Sequence, residues 1–84
     1  MIRFETYKQD ELTEELYLVD TYIDPFRVEG CQMANWKPEE IRHEPCASIR
    51  MYSGREIFVT MDAAEVVSAI QVYKASIDRL MWQN

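Results

Sequence analysis

The chain has 84 residues, 48% of them hydrophobic and 12% aromatic, and 15 Asp and Glu against 9 Lys and Arg set the formal charge at −6. That length predicts one domain over residues 1–84 with a single modest core and no deep catalytic cavity. The hydrophobic content argues against a disordered chain, and the lack of any apolar run near ~18 residues argues against a membrane-spanning helix.

The charge is uneven. Residues 1–45 hold eleven Asp/Glu and five Lys/Arg, whereas residues 46–84 hold four of each. The densest part runs from Gln9 to Phe26, with Asp10, Glu11, Glu14, Glu15, Asp20 and Asp24 and no Lys or Arg. Such a face repels phosphate and favours basic partners, which counts against direct nucleic-acid binding. The plainer alternative is a solvated face that keeps a small protein soluble.

Ile2–Tyr7 alternate Ile2, Phe4 and Thr6 against Arg3, Glu5 and Tyr7, the pattern of a half-buried strand. Asp10–Ile23 read two ways. Leu12, Leu16, Val19 and Ile23 form a helical stripe, while Tyr17-Leu18-Val19 and Thr21-Tyr22-Ile23 are strand formers. The favoured reading is a turn or short helical stretch at about 9–15 and a strand at about 16–23, ended by Asp24-Pro25. Val28–Trp36 reads as extended, with Gly30 as a bulge or kink. Lys37–Pro45, with two prolines and five charges, reads as a surface loop.

In the second half, Ala47, Ile49 and Met51 alternate with Ser48, Arg50 and Tyr52, and Ile57, Val59 and Met61 alternate with Glu56, Phe58 and Thr60. This predicts a β-hairpin. A three-residue loop Tyr52-Ser53-Gly54 sets Ile49 opposite Ile57, Ala47 opposite Val59 and Arg50 opposite Glu56, with Gly54 left-handed. Asp62 is an N-cap, with Glu65 at the capping-box position. Ala63, Val66, Val67, Ile70, Tyr73, Ile77, Leu80 and Met81 then mark one apolar stripe on a helix of about 20 residues.

Candidate chemistry is thin. Cys31, His43 and Cys46 could supply three zinc ligands, yet such sites usually show paired short spacings and four ligands. A Cys31–Cys46 disulfide is also conceivable, although two cysteines form no framework. His43 and Cys46 flank Pro45 without a nucleophile motif, and the adjacent pairs Glu14-Glu15 and Glu39-Glu40 do not share a face. No metal, cofactor or enzymatic activity is therefore expected. Trp36 and Trp82 are candidates either to anchor a partner or to cap the ends of the core.

Tyr22-Ile23-Asp24-Pro25, Val28, the run Ser48 to Val59 and Ala64-Glu65-Val66-Val67 together resemble the FlbD-type family of short proteins, found near flagellar genes and in bacterial and phage genomes. The resemblance covers roughly residues 16–75. It implies a curled antiparallel sheet with one C-terminal helix, and it carries over no catalytic residue. The acidic stretch 9–26, the loop 37–45 and a helix reaching Trp82 depart from that pattern.

These readings combine into an α+β fold, a small antiparallel sheet of three to four strands with a C-terminal helix on one face. The expected function is that of a cytoplasmic, non-catalytic protein-binding module, an adaptor or an inhibitor such as phages direct at host machinery. It would engage a basic protein surface, without nucleic acid or membrane. The expected contacts are Asp10, Glu11, Glu14, Glu15, Asp20, Tyr22, Asp24, Phe26 and Trp36. The alternative is a homodimer or larger homo-oligomer paired through a sheet edge.

Overall fold

A computed structural model describes residues 1–35 and 37–82, the side chains of 78–82 excepted. Five strands form one sheet: β1 (Ile2–Gln9), β2 (Leu16–Ile23), β3 (Val28–Met33), β4 (Ala47–Met51) and β5 (Glu56–Val59). One helix follows, α1 (Ala63–Trp82). The fold is thus α+β as expected, but the strand count is five rather than three to four. The first half supplies three strands, because the link between β2 and β3 is too short to let either leave the sheet.

The strand order is β2-β1-β5-β4-β3, antiparallel throughout. Its geometry forces the sheet to coil. β2 ends beside the start of β1, while β3 starts beside the end of β4. In a flat sheet these are opposite corners, roughly 30 Å apart for strands of this length and spacing. Only residues 24–27 join them, and Pro25–Arg27 make a 3-10 turn, so the reach is at most roughly 15 Å. The corners therefore approach each other, and Tyr22, Ile23 and Asp24 line one groove with Met51, Tyr52 and Arg55.

Local chemistry explains the joints. Asp24 accepts from the amide of Phe26 at 3.0 Å and so caps the 3-10 turn. Between β1 and β2, Asp10 accepts from the amides of Leu12 and Thr13, and Glu14 turns the chain with φ 61. The expected turn at 9–15 and strand at 16–23 are both present. In β3 the register shifts between Val28 and Gly30, the bulge that Gly30 suggested, and the strand ends at Met33. The hairpin has the expected register, with Ile49 opposite Ile57, Ala47 opposite Val59 and Arg50 opposite Glu56. Gly54 has φ +90, a conformation that a side chain at this turn would resist.

The concave face holds the core. Phe4, Ile23, Ala47, Ile49, Ile57 and Val59 pack there with Val66 and Ile70 of α1. Thr6, also buried on this face, donates to the carbonyl of Val19 at 2.9 Å and pairs with Thr21 at 2.8 Å, so its hydroxyl is satisfied. The amide of Glu65 donates to Asp62 Oδ1 at 2.9 Å, the expected N-cap. Val67 departs from the expected stripe and is exposed, because Val66 and Ile70 already fill the arc that faces the sheet. Leu80 and Met81 lie outside the described side chains. No described helix is long and apolar enough to cross a membrane.

Candidate protein-interaction groove

The convex face of the sheet is set by strand parity. Arg3, Glu5, Tyr7 and Gln9 of β1 share it with their β2 partners Tyr22, Asp20, Leu18 and Leu16. Glu56 and Phe58 of β5 lie on it opposite Arg50 and Ser48. Tyr7, Leu16, Leu18 and Phe58 give this face an apolar band.

The segment expected to be a surface loop folds over that band. Pro38 leads a second 3-10 turn, Glu39–Ile41, and Ile41 is buried. Its surroundings are not the main core. Ile41 lines a cavity of about 300 Å³ with Tyr7, Leu16, Cys46 and Phe58. Burial rather than exposure is the outcome because Ile41 is the one aliphatic side chain among charges, and the band lies within its reach. The loop is clasped by Lys37, whose Nζ donates to the carbonyl of Glu44 at 2.7 Å, and by the amide of Ala34, which donates to the carbonyl of Cys46 at 3.1 Å. Arg42 and Glu39 form an exposed ion pair at 3.2 Å.

Beside this cavity an open groove of about 690 Å³ runs between β2 and the loop. Its floor is Tyr7, Leu16, Leu18, Ile41 and Pro45, and Glu5, Glu15, Glu40 and Glu44 rim it. No Lys or Arg lines it among the described residues. Burial pushes the Tyr7 phenol above its ordinary pKa, helped by the Cys46 thiol once it ionises and by the carboxylates of Glu44 and Glu5. Burial also raises the Cys46 thiol, with Lys37 pulling the other way. Both groups stay protonated at neutral pH, which suits an apolar floor and a donor Tyr7 hydroxyl under an acidic rim.

The residues expected to make contact do not form one surface. Glu11, Glu14 and Glu15 lie with Asp10 in the β1–β2 turn, and Asp10 is engaged in capping, its carboxyl held below the usual range by the Thr13 and Leu12 amides. Tyr22, Asp24 and Phe26 lie at the far end of β2, roughly 25 Å away along an extended strand. Asp20 pairs with Arg3 and Asp24 with Arg27, each at 3.6 Å. Tyr22 and Asp24 line a different groove with Arg27, Tyr52 and Arg55. The Lys74 ammonium sits 5.3 Å from the Phe26 ring centroid. Of the eight among the described residues, only Glu15 borders the acid-rimmed groove. Trp36 and the Trp82 side chain lie outside the described residues.

Cys31 pairs with Ile49 and so faces the core, whereas Cys46, one residue before Ala47, faces the convex side. The sheet separates them, so they share neither a disulfide nor a metal site with His43. Both are free thiols. The cavity and groove residues that patterning passed over, Tyr7, Ile41 and Phe58, carried one signal. Each is a large apolar side chain at a position that the surrounding residues mark as polar.

No family model matches the chain, and neither a curated protein nor a solved structure is significantly similar to it.

Proposed function

We propose that the chain is a small, acidic, non-catalytic protein-binding module, an adaptor or an inhibitor, which takes a basic segment of a partner protein. The observation that carries this reading is the groove of Tyr7, Leu16, Leu18 and Ile41 rimmed by four glutamates. An apolar floor supplies affinity through area removed from water, and rim carboxylates with no ion-pair partner among the described residues select cations and speed encounter. The net charge of −6 adds long-range attraction for such a partner. The FlbD-type resemblance over residues 16–75 is consistent with this role, since it carries over no catalytic residue.

The test is binding of matched extended peptides, one Lys-bearing and one Glu-bearing, measured by fluorescence anisotropy across a salt series. The basic peptide is expected to bind at least tenfold tighter, and the difference should shrink as salt rises. Neutralising the rim with Glu15→Gln, Glu40→Gln and Glu44→Gln together should weaken basic-peptide binding about tenfold, on the order of 1.4 kcal/mol. Equal affinity of the two peptides would refute the reading.

A further inference from the structure

The two edges of the sheet are built differently. The β3 edge is six residues long and bulged between Val28 and Gly30. The β2 edge is eight residues long and runs in unbroken register against β1. It carries no Lys, Arg or Pro, the devices by which proteins commonly blunt an exposed edge. Its residues are strand formers almost throughout, with Tyr17, Leu18 and Tyr22 all about half or more exposed.

The register shows which backbone groups are unused. The amide of Thr60 donates to the carbonyl of Glu5, so the odd residues of β1 turn their backbone groups toward β5. The even residues therefore bond β2, and their partners there are Tyr17, Val19, Thr21 and Ile23. Leu16, Leu18, Asp20 and Tyr22 then direct N–H and C=O away from the sheet, with no backbone partner among the described residues.

We propose, on the strength of the groove reading above, that the partner's basic segment adds to β2 as a sixth strand. Pairing with Leu16, Leu18, Asp20 and Tyr22 satisfies the outward backbone groups, and every second side chain of the added strand lies on the convex face. There it meets Glu15 and the groove rim at one end and Asp20 in the middle. The Arg3–Asp20 pair is exposed on both sides, so an incoming cation can share Asp20 at little cost. The intervening side chains fall beside Tyr17, Val19 and Thr21, which calls for apolar residues there. The occupant is thus an extended segment alternating basic and apolar residues. A second copy fits less well, because two-fold pairing sets two strands alongside each other that both carry Asp20 and are both flanked by Glu14, Glu15 and Asp24.

The probe is an acetylated, amidated octapeptide alternating Lys and Val. Proline at an outward-facing edge position removes one donor and leaves the β1 ladder intact, so Asp20→Pro is compared with Asp20→Ala. Strand addition is expected to make Asp20→Pro bind at least tenfold more weakly than Asp20→Ala, with both variants showing cooperative melts. In the wild-type protein, amide exchange at Leu18, Asp20 and Tyr22 should slow on peptide addition. If the two variants bind alike and these amides stay fast, while the rim Glu→Gln variants still weaken binding, strand addition is overturned and the groove reading stands. If the rim variants bind as tightly as wild type, or the peptide fails to bind at millimolar concentration, both fall. A dimer by light scattering that Asp20→Pro dissolves would give the edge to a second copy and overturn the basic occupant.

Discussion

The concave and convex faces of one sheet solve the same problem with different completeness. On the concave face, residues of all five strands join Val66 and Ile70 of α1 in one cluster, and Ala47, Ile49, Val59 and Val66 reach 0% exposure. On the convex face a nine-residue loop, 37–45, brings down a single buried aliphatic residue, Ile41, and leaves a cavity and an open groove around it. The difference shows which side of the molecule holds the fold and which is available to a partner. A helix covers an area about 10 Å wide along its length, whereas a 3-10 turn covers one side chain.

The largest expected effect separates the faces directly. Ile49→Ala removes a fully buried side chain at the centre of the core and is expected to cost about 3 kcal/mol, against a total stability of roughly 5–10 kcal/mol for a domain this small. Ile41→Ala is expected to cost about 2 kcal/mol or less, because the loop can settle into part of the space. Urea titrations measure both, and Ile41→Ala should weaken peptide binding more than its stability loss suggests. Equal destabilisation would mean that the convex cluster belongs to the folding core, and the comparison would collapse.

A smaller effect tests how the concave cover is anchored. Asp62→Ala removes the acceptor for the Glu65 amide and is expected to cost about 1 kcal/mol. Loss of helical circular dichroism on heating should then precede loss of the sheet signal, with the groove still binding peptide in between. A single coincident transition would show that helix and sheet unfold as one unit.

The smallest effect is a pH dependence. Burial raises the pKa of Tyr7 and Cys46 on the convex side and of Cys31 on the concave side. Each group binds its proton more tightly folded than unfolded, so its contribution is complete below the unfolded pKa and is lost as pH rises through the folded one. Stability should therefore decline from about pH 8.5 upward as thiols begin to ionise in the unfolded chain. Tyr7→Phe with Cys46→Ala should flatten part of that limb and leave the part due to Cys31. Urea midpoints at neutral and alkaline pH report the two contributions, and an unchanged limb would assign the loss to the concave face instead.

How far the amino-acid pattern reaches is clearest at particular residues. The hairpin register was legible because Ile49/Ile57 and Arg50/Glu56 agree on one alignment, and only a three-residue loop with Gly54 left-handed permits it. The helix start was legible because Asp62 and Glu65 are three residues apart and their contact is local. The bulge at Gly30 and the turn around Asp10 are likewise events of a few residues. The acidic run 9–26 was legible as composition but not as a surface. Strand geometry carries its members roughly 25 Å apart, and Arg3 and Arg27 come from outside the run to pair with two of them.

By itself, then, the sequence determined the first strand, the hairpin with its pairing and the start of the helix, because each depends on interactions within a few residues or across one tight turn. Only the tertiary structure decided that five strands coil until four residues can join the end of β2 to the start of β3, that the loop 37–45 turns Ile41 inward, and that Glu5, Glu15, Glu40 and Glu44 share one rim. Those outcomes depend on closure, on where the ends of distant strands must lie once the sheet is coiled, and no local period records that.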